Sequence, residues 1–171
     1  MVMLLRYGAV FANFRQFCTN EELFQELVDA GVNCEGFASP FNAQILLMNP
    51  PSASTAATPW NPTFCSCYED TDAPFGARGS FFFQTFRNLQ VFLNPPTVEA
   101  VLDSTMEFIE QQMEKYDSSF HLLIPPWQDL KAYQMAKKSR KLSNIRHIDT
   151  SRYPSQNPYS GESHPSKKQF D

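Results

Sequence analysis

Residues 89 to 124 read LQVFLNPPTVEAVLDSTMEFIEQQMEKYDSSFHLLI, and they leave few folds open. An apolar run, Leu89 to Leu93, stops at Asn94-Pro95-Pro96, because proline offers no N–H to a ladder and drives the residue before it out of the helical region. Val98, Val101, Leu102, Thr105, Met106, Ile109 and Met113 then recur at three and four and predict one apolar helical face. A second short apolar run, Phe120 to Ile124, ends in Pro125-Pro126-Trp127. Strand, helix and strand at these lengths form a unit whose two strands must run parallel, so the chain is expected to be α/β with a largely parallel sheet.

The segments on the amino-terminal side fit the same scheme. Leu4 to Phe17 is expected to be a helix leading into a loop. Thr19, with Glu21 and Glu22, predicts a helix start; Leu23, Phe24, Leu27 and Val28 carry its apolar face until Gly31 stops it. Val32 to Phe37 is a strand candidate, and after a Ser-Pro turn the run to Met48 has helical character. NPPSASTAATPWNPT, residues 49–63, is too rich in proline and small polar residues to pack, and is expected to be a surface insertion. FCSCY is another strand candidate, closed by the acidic EDTD, and APFGARG must turn or coil. The expected layout is one α/β domain over residues 1–150 and a flexible, Pro-, Ser- and Lys-rich tail over 151–171.

Open parallel sheets bind their ligands beyond the carboxyl ends of the strands. Here those ends carry EGFASPFN, EDTD, NPPT and PPW. At the third, the Asn94 side-chain oxygen and the Pro95 carbonyl supply two acceptors that no ladder needs. Together they can hold both hydrogens of an exocyclic amine, keeping its lone pair aimed at an electrophile, which is what methylation of adenine N6 requires. The bland alternative is a proline-stiffened loop; the strand before and the helix after favour the site. Asp70 and Asp72, beyond the second strand, are candidates to accept hydrogen bonds from ribose hydroxyls. Small Ala38 and Ser39 leave room for a cofactor to approach, although FASPFN is no glycine-rich phosphate loop.

Other chemistries have less support. Cys18, Cys34, Cys65 and Cys67 lack the spacing of a tetrahedral zinc site, and His121, His147 and His164 supply no ligand pairing, so no metal is expected. The opening MVMLLRYGAVF is interrupted by Arg6 and resembles neither a signal peptide nor a spanning helix, which argues for an intracellular chain with reduced thiols and no membrane association. A net charge of −4 and a pI near 5.4 do not mark the whole chain as a nucleic-acid binder. Locally, however, Lys131, Lys137, Lys138, Arg140, Lys141 and Arg146 follow one another with no acid between them. This run reads either as a solvated helix face or as a phosphate-contacting patch, and KKSRK within it also reads as a nuclear-import signal.

CEGFASPFN, FCSCYEDTDAPFGARGSFF, FLNPP and LLIPPW resemble, in the same order, segments of the phosphorylated-CTD-interacting-factor family, over about Leu4 to Trp127. The resemblance implies a Rossmann-like class I methyltransferase core that uses S-adenosylmethionine to methylate N6 of the cap-adjacent 2′-O-methyladenosine of mRNA, in the nucleus, with cytoplasmic residence as the alternative. It also implies a protein partner such as the RNA polymerase II tail. Cofactor contacts then fall on Glu35, Phe37, Ala38, Ser39, Pro40, Asn42, Asp70 and Asp72, and Asn94, Pro95 and Pro96 are the catalytic motif. RNA contacts fall on Thr97, Trp127, Lys137, Lys138 and Arg140. Thr97 departs from the family's Asn-Pro-Pro-Phe pattern, in which an aromatic ring stacks on the base, a contact worth about 1–3 kcal/mol. Either another aromatic such as Trp127 covers the base, or transfer is weakened. The family's amino-terminal WW and helical modules are expected to be missing, and the core is expected to be truncated at its carboxyl end. Two further readings stay open: a catalytically inactive methyltransferase-like module that binds RNA or protein, and a phage-type DNA adenine N6-methyltransferase.

Overall fold

A computed structural model of the chain describes residues 2–10, 18–51 and 60–149, together with the backbone of 155–156 and 163–164. The expected α/β class is what the chain adopts. Four strands, β1 (Cys34–Glu35), β2 (Thr63–Phe64), β3 (Gln90–Leu93) and β4 (Ser119–Leu122), lie in the order β2-β1-β3-β4, every pair parallel. The pairing runs beyond the short regular stretches: Gly36 N donates to Phe92 O at 2.8 Å, Cys65 N to Glu35 O at 2.8 Å and Ala38 N to Cys65 O at 3.0 Å. A parallel bridge from Phe64 to Ala77 carries the sheet outward past β2.

The sheet's two faces follow the strand period of two. Cys34, Val91 and Leu93 point to one face, where Phe81, Phe86 and the helix α4 (Glu99–Lys115) cover them through Leu102, Met106 and Ile109. Phe92 and Phe64 point to the other and meet α2 (Glu21–Asp29) through Phe24 and Val28. The linker α4 begins where expected, and buried Gln112 on its face accepts the Phe86 N–H at 3.2 Å.

Local chemistry sets the helix ends. The amino-terminal cap of α2 is Asn20 instead of Thr19: its side chain accepts the amides of Glu22 (3.0 Å) and Leu23 (3.3 Å), while Thr19 is buried. At the other end Gly31, at φ +109°, donates to Val28 O while Val32 N reaches Leu27 O, satisfying two orphan carbonyls as a left-handed glycine allows. The first helix, α1, spans Val2–Val10; the expected continuation over 11–17 lies outside the described residues, as do 52–59 of the proline-rich insertion and most of the tail. In that tail Ser155 and Gln156 (β5) pair antiparallel with Ser163 and His164 (β6).

Two expectations of local structure are corrected. EDTD forms a helical turn, α3 (Glu69–Asp72), that tightens into a 3-10 turn at Ala73–Phe75. Pro74 fits there because the first helical positions have no use for its missing N–H. The helical expectation after the Ser-Pro turn becomes a 3-10 turn, Gln44–Leu46, and α5 spans Lys131–Lys138. Among the described residues no helix is long and apolar enough to cross a membrane.

Gly36 leaves room on the core face for the Leu93 and Phe81 side chains. A Cβ there would run into Leu93 Cδ2 and sit 3.1 Å from the Phe81 ring, both in the core. Gly36→Ala is therefore expected to cost about 1–3 kcal/mol of stability in denaturant melts. Gly76→Ala, whose Cβ would meet nothing within 4 Å, is expected to lose only ~1 kcal/mol, from its φ of +93°.

Candidate functional site at the carboxyl edge of the sheet

Leaving β1, the chain turns toward β2; leaving β3, it turns the other way, toward β4. The sheet's topological switch point therefore lies between the ends of β1 and β3, the place where such sheets hold ligands. The residues that follow these two strands are Gly36-Phe37-Ala38-Ser39 and Asn94-Pro95-Pro96. Asn94 is half-buried and Pro95 buried. Among the described residues no donor reaches the Asn94 side chain or the Pro95 carbonyl, whereas Pro96 O is taken by Val98 N at 2.7 Å. Asn-Pro-Pro thus ends in two free acceptors and one that starts α4.

The loop after β1 is closed on itself. Asn42 Oδ1 accepts Ser39 N at 2.8 Å and Ser39 Oγ at 3.0 Å, and Ser39 Oγ accepts Phe41 N at 3.2 Å. Ser39 is buried, so it and Asn42 set the turn, and Pro40 lies half-buried within it. Phe37 packs on Phe81 (4.9 Å) and Phe82 (5.9 Å), which seats the 3-10 turn Phe81–Phe83 over the end of β1.

Glu35 is buried at the last position of β1. Its Oε2 accepts Ile45 N at 3.1 Å, tying the Gln44–Leu46 turn to the strand. Burial raises this carboxyl group to about 8, against the pull of the Ile45 and Gln44 amides in the opposite direction. In that turn, buried Gln44 Oε1 has no hydrogen-bond partner among the described residues.

The two aspartates beyond β2 have different surroundings. Asp72 is fully buried, with Oδ2 accepting the Tyr7 hydroxyl and Oδ1 accepting Thr71 Oγ1 at 3.0 Å. Asp70 is 62% exposed and bound by both oxygens to Arg6 Nη1, at 2.6 and 2.7 Å; that contact holds its carboxyl below the ordinary range. Each Asp70 oxygen keeps a lone pair toward solvent. Helix α1 thus bridges both loops: Tyr7 sets its ring edge against Phe41 (5.8 Å) and Tyr68 (5.1 Å), while Arg6 lies over Tyr68 at 5.4 Å. Sequence reasoning placed no site residue on α1, although a polar Arg6-Tyr7 pair inside an apolar helix was a visible signal.

The residues expected to contact RNA fall into two groups. Thr97 is exposed and Trp127 is 53% exposed, each following a strand end at the edge that carries Asn94. Lys137, Lys138 and Arg140 belong to or follow the last turn of α5, whose neighbours are tied to the middle of α4: Lys131 Nζ meets Glu107 at 2.8 Å and Lys141 Nζ meets Glu110 O at 3.4 Å. This anchorage leaves them apart from the first turn of α4, into which Asn94 leads. Among the described residues no group of three or more His, Cys, Asp or Glu side chains is placed to hold a metal ion. A polar depression of 310 Å³ lies at the opposite edge, lined by Asn88, Gln90, Asp117 and Ser118.

The family model described as "Phosphorylated CTD interacting factor 1 WW domain" matches residues 1–155. The chain belongs to this family. A mouse relative named mRNA (2'-O-methyladenosine-N(6)-)-methyltransferase is 30% identical over 101 residues, 58% of this chain. The chain spans 12% of the length of that curated relative. The parallel sheet is consistent with the Rossmann-like core that the family resemblance implies.

The Glu35 carboxyl group ties stability to pH. An ordinary glutamate has a value of 4.5, so between there and about 8 the folded chain holds a proton that the unfolded chain has released, and stability falls as pH rises through this window. Glu35→Gln, which keeps one acceptor for Ile45, is expected to match the wild type at pH ~4 and to exceed it by a few kcal/mol at pH ~9, each tenfold change in ionisation being worth about 1.4 kcal/mol. Thermal melts of both proteins across this range measure the difference. Tyr7→Phe, which leaves buried Asp72 short of a donor, is expected to lose about 1–3 kcal/mol in the same assay.

Proposed function

We propose that this chain is the core of an S-adenosylmethionine-dependent methyltransferase acting on N6 of adenosine in mRNA, with the cap-adjacent 2′-O-methyladenosine as its target. The observation that carries the reading is a pair of acceptors, Asn94 Oδ1 and the Pro95 carbonyl, that no donor among the described residues reaches, at the switch point of a parallel sheet. The name of the mouse relative supports the chemistry.

The residues at this edge fit S-adenosylmethionine, because Gln44 Oε1 is a buried acceptor awaiting a donor and Asp70 keeps lone pairs free for a ribose hydroxyl. Phe37, Ala38, Gln44 and Asp70 would hold it. Glu35, Ser39, Asn42 and Asp72 support that surface from below, their polar atoms being engaged within the chain. When bound, the cofactor supplies an electrophilic methyl group.

Asn94 and Pro95 accept the two amine hydrogens and fix the direction of the nitrogen lone pair. Holding both hydrogens also favours the positive charge that grows on the amine as it is attacked. No general base is required at that moment, since the proton leaves after transfer; the rate comes from positioning in a water-poor cleft. Asn94→Ala is expected to lower methyl incorporation into adenosine-containing RNA by about a hundredfold or more, with the affinity for S-adenosylmethionine measured by calorimetry nearly unchanged. Full activity in that variant would overturn the assignment.

Exposed Thr97 at the fourth position of the motif favours a second reading, a methyltransferase-like module that binds RNA without modifying it. Calorimetry separates the two: a chain that takes up no S-adenosylmethionine at millimolar concentration is the second. Nuclear residence, proposed from KKSRK, is tested by imaging a fluorescent fusion with and without that segment.

A further inference from the structure

The stretch between β2 and β3 contains FGARG, a motif that the reading above leaves unused. Two 3-10 turns flank it. The first, Ala73–Phe75, has no buried residue and ends at left-handed Gly76, leaving Phe75 51% exposed. In the second, Phe81–Phe83, three residues make one turn, so three successive side chains point about 120° apart. Phe81 is committed to the core against Phe86 (5.1 Å), and Phe82 to Phe37 and Phe108 (both 5.9 Å). Phe83 is thereby forced outward and is 88% exposed.

Between the two rings lies Arg78. Its backbone N–H is fixed to Phe64 O at 2.8 Å, which sets it beside the end of β2, and its charge is felt at Cys34 on β1. Among the described residues the half-buried guanidinium makes neither an ion pair nor a hydrogen bond, even though the carboxylate of Glu69 packs against the neighbouring Gly79. The connection from the carboxyl end of β2 to the amino end of β3 thus carries, in order, an exposed ring, a guanidinium unpaired among the described residues and an exposed ring, and Gln84 Nε2, donating to Arg78 O at 2.5 Å, ties the second turn to Arg78. Rings offer a stacking face to any base, and an unpaired guanidinium fork matches a phosphate.

Resting on the nucleic-acid half of the proposed function, the geometry points to Phe75, Arg78 and Phe83 as a surface for single-stranded RNA, in which the rings stack on unpaired bases and Arg78 meets the phosphate between them. The surface supplies aromatic contact that Thr97 does not, and its second turn is seated on Phe37, beyond the end of β1, and on Phe108 of α4. A duplex hides its base faces and does not fit.

Fluorescence anisotropy with a labelled, adenine-containing single strand of about ten nucleotides tests this, at low and at moderate salt. Phe83→Ala is expected to weaken binding about tenfold and Phe75→Ala severalfold. Arg78→Ala weakens binding and lowers the salt dependence by about one ion. Where Arg78→Ala lowers the melting temperature, Arg78→Gln, which keeps the half-buried stem, takes its place. Leu47→Ala, at a side chain of similar exposure on another segment, leaves binding unchanged, and a duplex of the same sequence does not compete. The inference falls if the wild-type chain does not bind the strand, if the Phe83 and Arg78 variants bind as the wild type does, if the Leu47 variant loses as much, or if duplex competes equally. Methyl transfer assayed alongside separates the two ideas: binding lost with these residues but no transfer in the wild type removes the enzyme and keeps the surface, whereas transfer with an unchanged KM in the variants removes the surface and keeps the enzyme.

Discussion

The contact between β1 and β3 sets everything else in this chain. The Gly36 amide donates to Phe92 O, and the space of its missing side chain is filled by Leu93 and Phe81. Because β1 leads to one side of the sheet and β3 to the other, the same contact sets the switch point between FASPFN and Asn-Pro-Pro, where sheets of this kind hold ligands. Packing and site are thus consequences of one strand pair. A side chain at residue 36 would disturb the core and displace the Asn94 loop together.

Burial sorts the polar groups at this edge into those that build and those that remain available. Ser39, Asn42, Glu35 and Asp72 are consumed by hydrogen bonds inside the chain, so they define shape. Asn94, Pro95, Gln44 and the outer lone pairs of Asp70 are left over, and unsatisfied acceptors in a sheltered place are what a ligand with N–H and O–H groups replaces water on. Burial disfavours charge on the Glu35 carboxyl group at the end of β1. Arg78 is the counterpart among cations, its guanidinium unpaired among the described residues.

The α/β class could be read from residues 89 to 124, since a period of two, then of 3.6, then of two again permits little but a parallel pair. The apolar face of α2 was legible for the same reason. What could not be read was the division of labour between neighbours of like chemistry. Thr19 and Asn20 are both good caps, and backbone geometry chose Asn20. Asp70 and Asp72 stand two positions apart, and only the docking of α1, brought from far away in the chain, buries one and leaves the other at the surface. The outward turn of Phe83 likewise depends on which two of three identical neighbours the core accepts, and composition is silent on that. The aromatic richness, 16 phenylalanines in 171 residues, marked a large core but hid the rings that the core rejects.

The clasp made by α1 has its own consequence for how this half of the molecule is held together. Tyr7 and Asp72 are 65 positions apart, so their bond ties the beginning of the chain to the loop beyond β2. Closing so long a loop is only slightly harder than closing a short one, and the tie rests on a buried hydroxyl and a surface ion pair that salt weakens. The first helix therefore braces the loops after β1 and β2 together, and a change at Arg6 or Tyr7 bears on both loops at once.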